Sequence, residues 1–517
     1  MLRRLLRQML SGSGRRAPQA RGAPALLAAA VEAQRRGALA EAEVALRAAI
    51  AAAPERDEAR HLLGALLCRT GRAAEACEIL GDVVARAPQS IEARFNLGAA
   101  LESAGDAAVA REHYRAVLGI APDFAPARSN LANLLLRSGE FEAAIAEYRL
   151  AVAASPGQAE LWYNLGNAYM EVTRSGEAIA AYDRALACNP DYADAHFNRA
   201  LALLRAGQWK AGWPGYEWRF RKTDEPTAWR DFDCPVWDGQ SLAGRTLVVW
   251  GEQGLGDEIM FASCLPRLLA AGHRVAIECA PQLRALFQRS FAPAPVHARG
   301  ELTVGRDDAF HVPIGSLPLR SGAGAGPPFA PGGYLQADPE RVARWRERLA
   351  GLGDGLKVGI SWRGGTAATR ASRRSIELER WLPVLRVPGA KFVSLQYTRE
   401  YDALAAFSRT HDVGVTAWPE AIESFEETAA LMAALDLVIS VCNTAVHLGG
   451  ALGRPVWVMA PHSAEWRYGL SGEAMSWYPS VTMLRQGAPG DWEPVIATAA
   501  AKLRALAAGA GQQTERA

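Results

Sequence analysis

The stretch LDLVISVCNTAVHLGG carries polar residues where a chain could bind an anion. An apolar run typical of a buried strand leads into a short turn, and a helix is predicted to begin near Thr444. The first amides of a helix lack partners within it, so they attract negative charge together with the side chains of Asn443 and Thr444. His447, on the first helical turn, could reach the same anion or a leaving group. The sequence thus predicts a phosphate-binding turn, and a purely structural histidine is the alternative.

Parallel strands must hold this turn in place. The strands predicted around it are KVGISW, AKFVSLQ, DVGVTAW, LDLVISV and RPVWVMAP, with helices between them. Their near-continuous apolar character is typical of a sheet that is covered on both faces. They define a predicted lobe over residues 356–510.

A second group of elements precedes this lobe, over residues 245–340. The strand RTLVVW leads into the glycine-rich loop GEQGLGDE, the helix IMFASCLPRLLAAG and the strand HRVAIECA, and DDAFHVPIG and GGYLQ complete the group. This is a Rossmann-like unit, whose ligands bind beyond the carboxyl ends of the strands. Gly254 and Gly256 are candidate donor-binding residues, although the glycine spacing is not the dinucleotide fingerprint. The sequence predicts two Rossmann-like lobes with a ligand cleft between them.

Two motifs, in this order, resemble those of one enzyme family. GLGDEIMFASCLP and DLVISVCNTAVHLGGALGRPVW are similar to the heptosyltransferase-type family 9 glycosyltransferases, and most of all to the branch fused to tetratricopeptide repeats. The similarity extends through EWRYG, SWYPS and LRQGAPGDWEPV, over roughly residues 230–510. It implies the two-lobed GT-B fold and inverting sugar transfer from a nucleotide-sugar donor, which is a co-substrate, so no cofactor is expected.

The resemblance also assigns roles to residues. Asp257 matches the acidic residue that takes the proton of the acceptor hydroxyl, a role compatible with capping its helix. Asn443, Thr444 and His447 match the donor-phosphate loop. Family members usually carry Asp-Thr in this turn, whereas this chain has Cys442 before Asn443 and Thr444, which leaves the donor and the retention of activity open. A nucleophilic role for Cys442 is not expected at the end of a buried strand.

An arginine-rich loop follows the first strand of the second lobe. Its four arginines are Arg363, Arg370, Arg373 and Arg374. The diphosphate released by sugar transfer needs positive charge or a metal ion, and no D-x-D-like carboxylate pair is suitably placed, so we expect arginines and no metal. Arg374 and Ser375 best match the family's basic position, and a solvated basic loop is the alternative. Gln396 and Glu427 are weaker candidates for contacts to the base or ribose.

The first half of the chain repeats itself every 34 residues. Proline recurs at Pro54, Pro88, Pro122, Pro156 and Pro190. A small residue recurs in the first helix of each period, at Gly64, Gly98, Ala132, Gly166 and Ala200. The second helix carries alanine at Ala42, Ala76, Ala110, Ala144 and Ala178, and a bulky residue four positions later at Leu46, Leu80, Tyr114, Tyr148 and Tyr182.

These offsets are those of a helical hairpin. Small residues let two helices approach, the bulky residue fills the seam, and proline ends the second helix. The pattern resembles the tetratricopeptide repeat over residues 23–220, as a solenoid of about six hairpins with the last one degenerate.

One polar column runs through these hairpins, at Asn96, Asn130, Asn164 and Asn198. A primary amide both donates and accepts, so a row of them could hold a peptide backbone; hydrogen bonds within the solenoid are the alternative. The column resembles the one lining the repeats of eukaryotic O-linked N-acetylglucosamine transferases. This implies a groove that binds a protein or peptide partner.

A tryptophan-rich segment leads into the predicted linker 221–244. Its tryptophans are Trp209, Trp213, Trp218, Trp229, Trp237 and Trp250. We expect them to cap the solenoid and join it to the next domain; a ligand platform is the alternative. The whole chain is thus predicted as α plus α/β, with a solenoid followed by two Rossmann-like lobes.

Composition and charge bear on the partners and the cellular location of the protein. The net charge of +2 gives no reason to expect nucleic acid. The seven cysteines form no C-x-x-C pair, which favours reduced thiols and a cytoplasmic location. The basic residues 1–22 are predicted to be flexible and not a secretory signal, and no apolar run approaches the ~18 residues that span a bilayer, so stable membrane insertion is not expected.

Three functions fit these features. The first is a metal-independent glycosyltransferase whose repeats recruit the acceptor, most naturally a protein. The second is a repeat scaffold whose transferase-like domain no longer turns over. The third is a transferase for saccharide or lipopolysaccharide acceptors, which gives the repeats no role.

Overall fold

The computed structural model describes residues 22–224, 227–305, 307–321, 326–327, 330, 332–365 and 371–514. Residues 1–21, predicted to be flexible, and Arg370 of the arginine-rich loop lie outside these ranges. The chain forms two compact units, one ending at Ala168 and the other beginning at Tyr169.

Twelve helices precede the first strand in the described part of the chain. They are α1 (Ala23–Arg35), α2 (Leu39–Ala52), α3 (Glu58–Arg69), α4 (Ala73–Arg86), α5 (Ile91–Ser103), α6 (Ala107–Ile120), α7 (Ala125–Arg137), α8 (Phe141–Ala154), α9 (Ala159–Glu171), α10 (Ser175–Cys188), α11 (Ala193–Arg205) and α12 (Trp209–Tyr216). The helices pack in pairs as the predicted hairpins α1–α2, α3–α4, α5–α6, α7–α8 and α11–α12, so the repeat period translates directly into secondary structure. The degenerate last hairpin has a short second helix with Pro214 inside it.

The hairpin seams confirm the role predicted for the small residues. A Cβ added to Gly64 would lie 2.6 Å from Leu80 Cδ1, and one added to Gly98 would lie 2.8 Å from Tyr114 Cε1. Atoms cannot approach so closely, so each glycine permits the contact that its bulky partner makes. Leu80 and Tyr114 are fully buried as a result.

The first sheet has the order β3-β2-β1-β4 and is parallel throughout. Its elements are β1 (Thr246–Trp250), α13 (Leu255–Ala262), α14 (Leu265–Ala270), β2 (Val275–Cys279), α15 (Arg284–Ser290), β3 (Val296–Ala298), β4 (Ala309–Pro313) and α16 (Leu317–Arg320). The single helix predicted after β1 is broken in two, and Pro266 lies in the first turn of the second piece, where its missing N–H is tolerated. GGYLQ forms no strand, because the amides of Tyr334 and Leu335 donate to Ala451 O instead.

The second sheet has seven strands in the order β10-β11-β9-β8-β5-β6-β7, and only the β10–β11 pair is antiparallel. Its elements are α17 (Pro339–Ala350), β5 (Leu356–Ser361), α18 (Ala371–Arg374), α19 (Leu382–Leu385), β6 (Ala390–Ser394), α20 (Tyr401–His411), β7 (Val415–Thr416), α21 (Phe425–Ala434), β8 (Leu437–Val441), α22 (Thr444–Ala451), β9 (Val456–Ala460), β10 (Ala474–Met475), β11 (Tyr478–Arg485) and α23 (Glu493–Thr514). All five predicted strands are present.

Aromatic residues join α12 to the α/β region. The ring of Trp213 lies 6.4 Å from Phe261, 5.9 Å from Trp466 and 6.4 Å from Trp477, measured between centroids. All four side chains are buried. This aromatic cluster (Trp213, Phe261, Trp466 and Trp477) leaves Trp213 no open face for a ligand, which argues against a ligand platform at that residue; the capping of the solenoid by the tryptophan-rich segment stays a prediction.

Candidate functional site

The first turns of two helices, which follow strands of different sheets, lie against each other. Helix α13 begins after Gly254 and helix α22 begins after Asn443. A Cβ added to Gly256 would lie 3.1 Å from His447 Cδ2 and 3.6 Å from Thr444 Oγ1. The structure therefore brings the glycine-rich loop and the predicted phosphate-binding turn together, with contact between α13 and α22.

The glycine-rich loop is fixed by its neighbours. Gln253 has a positive φ of 63°, which is uncommon for a residue with a side chain, and its Nε2 donates to Tyr216 Oη at 3.0 Å. At Gly251 an added Cβ would lie 2.5 Å from Glu258 Oε2, so a larger residue there would displace the buried carboxylate of Glu258. Gly254 has ordinary extended backbone and is exposed, which leaves it accessible. The loop thus holds α13 and Asp257 in a set position.

Asp257 belongs to an ionic chain of four residues. Asp257 Oδ1 lies 2.7 Å from Arg467 Nη1. Arg467 Nε lies 3.5 Å from Glu465 Oε2, and Glu465 Oε1 lies 2.5 Å from Arg374 Nη1. The candidate base and the candidate phosphate-binding arginine are therefore linked through Glu465 and Arg467, two residues that the sequence analysis does not single out.

The charges in this chain are stabilised mutually. Burial alone would lower the pKa of Arg467, but the carboxylates of Asp257 and Glu465 raise that pKa above its usual value. The guanidinium group therefore remains charged. A charged guanidinium group of this kind is the type of group that binds a diphosphate.

His447 is not a cation in this environment. Burial, and secondarily Arg467, hold its pKa well below the usual value. Its Nδ1 lies 3.2 Å from Tyr478 Oη, and its side chain is almost fully buried. A neutral, packed imidazole cannot supply positive charge to a phosphate, so the contacts favour the structural alternative. The predicted approach to a leaving group stays a prediction.

Asn443 is fully engaged as a helix cap. Its Oδ1 accepts from Ala445 N and Ser440 Oγ, each at 3.0 Å. Its Nδ2 donates to Ser361 Oγ at 2.8 Å and Arg363 O at 3.1 Å. An amide has two donor and two acceptor positions, and all four are used. The predicted open phosphate contact is therefore corrected to a cap that also fastens β8 to the end of β5; Thr444 remains partly exposed beside it.

The other predicted donor-site residues hold the surrounding loops. Gln396 is buried, and its Oε1 accepts from Trp362 N at 3.2 Å and Arg363 N at 2.9 Å. Arg363 pairs with Glu400 at 2.8 Å and stays partly exposed. The weaker candidate Gln396 is thus a support for the loop that carries Arg363 and not an open ligand contact.

Three more candidates have partners within the protein. Arg373 pairs with Glu171, and Ser375 Oγ accepts from Gly364 N at 3.2 Å. Glu427 accepts from Trp345 Nε1 at 2.8 Å and also pairs with Arg341 of α17. Glu427 therefore joins α21 to α17, which argues against the predicted ribose contact.

The asparagine column is partly exposed at all four positions. Asn130 Nδ2 donates to Tyr114 Oη at 3.1 Å, and this hydroxyl donates to Glu102 Oε2 at 2.9 Å. For Asn130 the alternative of a bond within the solenoid is thus present. Asn96, Asn130 and Asn164 lie in the first unit and Asn198 in the second.

Other possible sites lie away from this chain of charges. A surface cavity of about 660 Å³ is bordered by Trp237, Arg245, His273, Arg274 and Arg320. It lies at the amino-terminal ends of β1 and β2, opposite the edge where parallel sheets bind ligands, so it is not the predicted donor site. Within the described ranges no three His, Cys, Asp or Glu side chains converge as metal ligands. No described helix combines the length and apolar character needed to cross a membrane.

Comparisons with known proteins identify the repeats. Models described as tetratricopeptide repeat match residues 33–101 and 101–165, and one described as TPR repeat matches residues 175–207. Protein FlbA of Caulobacter vibrioides is 36% identical over 336 residues, which cover 60% of this chain and 55% of FlbA. The chain thus spans about half the length of that relative. The matched residues, 33–165 and 175–207, are tetratricopeptide repeats.

Solved structures are similar to part of this chain. TTC0263, a thermophilic TPR protein of Thermus thermophilus, has 23% identity and a TM-score of 0.32 over 35% of this chain and 99% of its own. PilF of Pseudomonas aeruginosa has 14% identity and a TM-score of 0.35 over 40% of this chain and 92% of its own.

Proposed function

We propose that the chain is a glycosyltransferase that moves a sugar from a nucleotide-sugar donor, without a metal ion, to an acceptor recruited by its repeats. One observation carries this proposal: Asp257 lies 2.7 Å from Arg467, which is linked through Glu465 to Arg374. A carboxylate suited to the acceptor and guanidinium groups suited to a diphosphate thus meet at one place. The first sheet and the largely parallel second sheet are proposed to be the cores of the two lobes of a GT-B fold.

In the proposed reaction Asp257 takes the proton of an acceptor hydroxyl while the hydroxyl oxygen bonds to the anomeric carbon. The bond from that carbon to the donor phosphate breaks on the opposite face, so the configuration inverts. The electron pair leaves with the nucleoside diphosphate, whose added charge is stabilised by Arg374 and Arg467. No charge on His447 is required, in keeping with its lowered pKa.

The repeats support a protein acceptor. Tetratricopeptide repeats generally bind protein partners, and a partly exposed row of amides suits an extended backbone. We assign this role to the first-unit members of the column, Asn96, Asn130 and Asn164.

A second candidate is a repeat scaffold without turnover. It is favoured by Asn443, whose four hydrogen-bonding positions are all used within the protein, and by the packed, neutral His447. In this alternative the α/β region is a structural partner of the repeats, and Asp257 serves only as an ion-pair partner of Arg467.

The test uses the full chain with UDP-, GDP-, ADP- and CMP-linked sugars and measures release of the nucleotide. The transferase proposal expects release from one donor class and a loss of about a hundredfold or more in Asp257→Asn, which keeps the shape but removes the base. Glu473→Gln, an exposed carboxylate paired with Lys502, is the matched control and should release nucleotide at the wild-type rate. If no donor releases its nucleotide, the result would contradict the transferase and support the repeat scaffold without turnover.

The nature of the acceptor is tested separately. The triple variant Asn96→Ala, Asn130→Ala and Asn164→Ala should lose sugar transfer to a protein acceptor and keep donor hydrolysis, because the three residues belong to the first unit and Asp257 belongs to the second. If this variant transfers sugar to the protein acceptor as well as the wild type does, the asparagine column does not bind the acceptor. Transfer to a saccharide that the triple variant performs equally well would favour the saccharide-acceptor function.

A further inference from the structure

The ionic chain contains two carboxylates and two guanidinium groups, so it is neutral overall. Arg467 contacts both Asp257 and Glu465, and Arg374 contacts Glu465. Each cation that could bind a diphosphate is therefore already paired with a carboxylate of the protein itself. An incoming anion has to displace these carboxylates before it can bind to the two guanidinium groups.

The four residues of the ionic chain differ in how exposed their side chains are. The side chains of Arg374, Arg467 and Asp257 are 11%, 14% and 17% exposed, whereas that of Glu465 is 37% exposed. Arg467 follows Trp466, which is buried in the aromatic cluster, so its backbone is anchored. The contact from Glu465 to Arg467 Nε, at 3.5 Å, is longer than a normal hydrogen bond. Glu465 is thus the member that can turn into solvent most easily.

We propose that the four residues form an electrostatic latch on the proposed transferase site: a nucleoside diphosphate displaces Glu465 from Arg374 and Arg467, and draws Arg467 away from Asp257. The inference rests on the proposed function and adds Glu465 as an internal carboxylate that competes with the diphosphate for Arg374 and Arg467. Before donor binding Asp257 is held in an ion pair. After donor binding its carboxylate is available to an acceptor hydroxyl.

The exchange is physically reasonable because one anion replaces another. A buried guanidinium group left without a partner is strongly unfavourable, and in this exchange neither arginine is unpaired at any stage. A diphosphate carries more charge than one carboxylate and offers oxygens to both arginines, so it can compete with Glu465. The latch therefore predicts an ordered reaction, in which the donor binds before the acceptor is deprotonated.

The experiment measures equilibrium binding of UDP, GDP and ADP to the full-length protein and its variants. Removing an internal competitor should strengthen binding, because displacement of the carboxylate no longer opposes it. We expect the diphosphate that binds the wild type to bind Glu465→Gln about tenfold more tightly. Asp257→Asn should also bind it more tightly, and Glu465→Asp, which keeps the charge, should stay near the wild type. Glu473→Gln should not change the affinity.

Two readouts separate the latch from the proposed function. If Asp257→Asn loses donor hydrolysis but Glu465→Gln binds no more tightly than the wild type, the latch is overturned and the transferase stands. If Glu465→Gln binds more tightly but no donor is turned over by any variant, the transferase is overturned and the latch stands as a binding site. Absence of diphosphate binding in the wild type and in both charge-removing variants overturns the latch. Should Glu465→Gln fail to fold, Asp257→Asn carries the same comparison.

Discussion

Arg219 and Glu252 form a bidentate ion pair in the interior of the second unit, with Arg219 Nε 2.9 Å from Glu252 Oε2 and Arg219 Nη2 2.6 Å from Glu252 Oε1. Both side chains are at most 2% exposed. Ser316 Oγ lies 2.8 Å from Arg219 Nη2, and Gly315 N donates to Glu252 Oε1 at 3.1 Å. The pair fastens the 3-10 helix Glu217–Phe220, which follows α12, to the loop that precedes α13.

Breaking this pair is expected to destabilise the second unit strongly. Glu252→Gln removes the fully buried countercharge of Arg219 and leaves only the partly buried Glu217, whose Oε1 lies 2.8 Å from Arg219 Nη1, so the free energy of unfolding should fall by at most about 3–5 kcal/mol. Urea unfolding followed by tryptophan fluorescence reports on this unit, because Trp162 is the one tryptophan of the 15 that precedes Tyr169. The exposed pair of Glu473 and Lys502 provides the control, since Glu473→Gln should cost at most about 1 kcal/mol. A wild-type unfolding midpoint for Glu252→Gln would contradict the expectation.

Gly256 allows α13 and α22 to approach, so a methyl group there should disturb both. In Gly256→Ala the new Cβ would lie 3.1 Å from His447 Cδ2, which forces a shift of a few tenths of an ångström. We expect a loss of about 1–3 kcal/mol in the free energy of unfolding of the second unit. Gly176→Ala is the matched control, because its Cβ meets nothing within 4 Å and it should be neutral or stabilising by less than about 1 kcal/mol. Equal stability of the two variants would show that the helices tolerate the methyl group.

The lowered pKa of His447 makes stability depend on pH. The folded state resists protonation of this imidazole, whose faces meet Arg467, Tyr468 and Tyr478. Above the unfolded pKa of about 6.5 both states are neutral and the contribution to stability is fully present. Below it the unfolded state binds a proton that the folded state does not, so stability falls by up to about 1.4 kcal/mol per pH unit. Unfolding of the second unit should therefore become easier from pH 7 to pH 5.

A variant pair isolates this histidine. His447→Gln should flatten the decline between pH 7 and pH 5, although His311, whose pKa is also lowered by burial, retains a share of it. His311→Gln should likewise remove only the share of the decline that His311 contributes. An identical pH profile in His447→Gln and the wild type would mean that His447 does not resist protonation.

The cysteine in the predicted phosphate-binding turn should be chemically inert. Burial raises the pKa of Cys442 to about 12, so at pH 8 about one molecule in ten thousand carries the reactive thiolate. Iodoacetamide on the native protein should modify the exposed Cys188 first and leave Cys442 unmodified, as mapped by mass spectrometry. Cys188→Ser should remove the fast reaction. Labelling of Cys442 as fast as that of Cys188 would reopen a nucleophilic role.

The sequence predicts the repeats well because their contacts are local. Gly64 meets Leu80 and Gly98 meets Tyr114, in each case 16 residues along the chain, so the pattern of one period contains both partners of each contact. Most strands of the two sheets are predictable for a similar reason, since a short apolar run is visible without knowledge of its neighbours. Strand β11 is not among the predicted strands. Pro479 suggests a break there, but pairing with β9 begins only at Val481, beyond the proline.

The site is predictable only in part because its charge pairs are distant in sequence. Motifs indicate Asp257 and Arg374, but Arg467 lies some two hundred residues beyond Asp257, and no period or spacing connects them. The motif EWRYG contributes to a family resemblance without indicating what its arginine contacts. Asn443 looks open to a ligand in the sequence for the same reason, because its partners Ser361 and Arg363 come from another strand end.

The unit boundary between Ala168 and Tyr169 falls inside α9, upstream of the tryptophan-rich segment. Trp213 is therefore interior to the α/β half, in the same cluster as Phe261, Trp466 and Trp477. The repeat array is consequently not an interchangeable cassette. A chimaera that carries the repeats of a relative should therefore have its junction before residue 169. A junction at residue 220 would replace Trp213 with a residue of the relative, which would not pack against Phe261, Trp466 and Trp477 as Trp213 does.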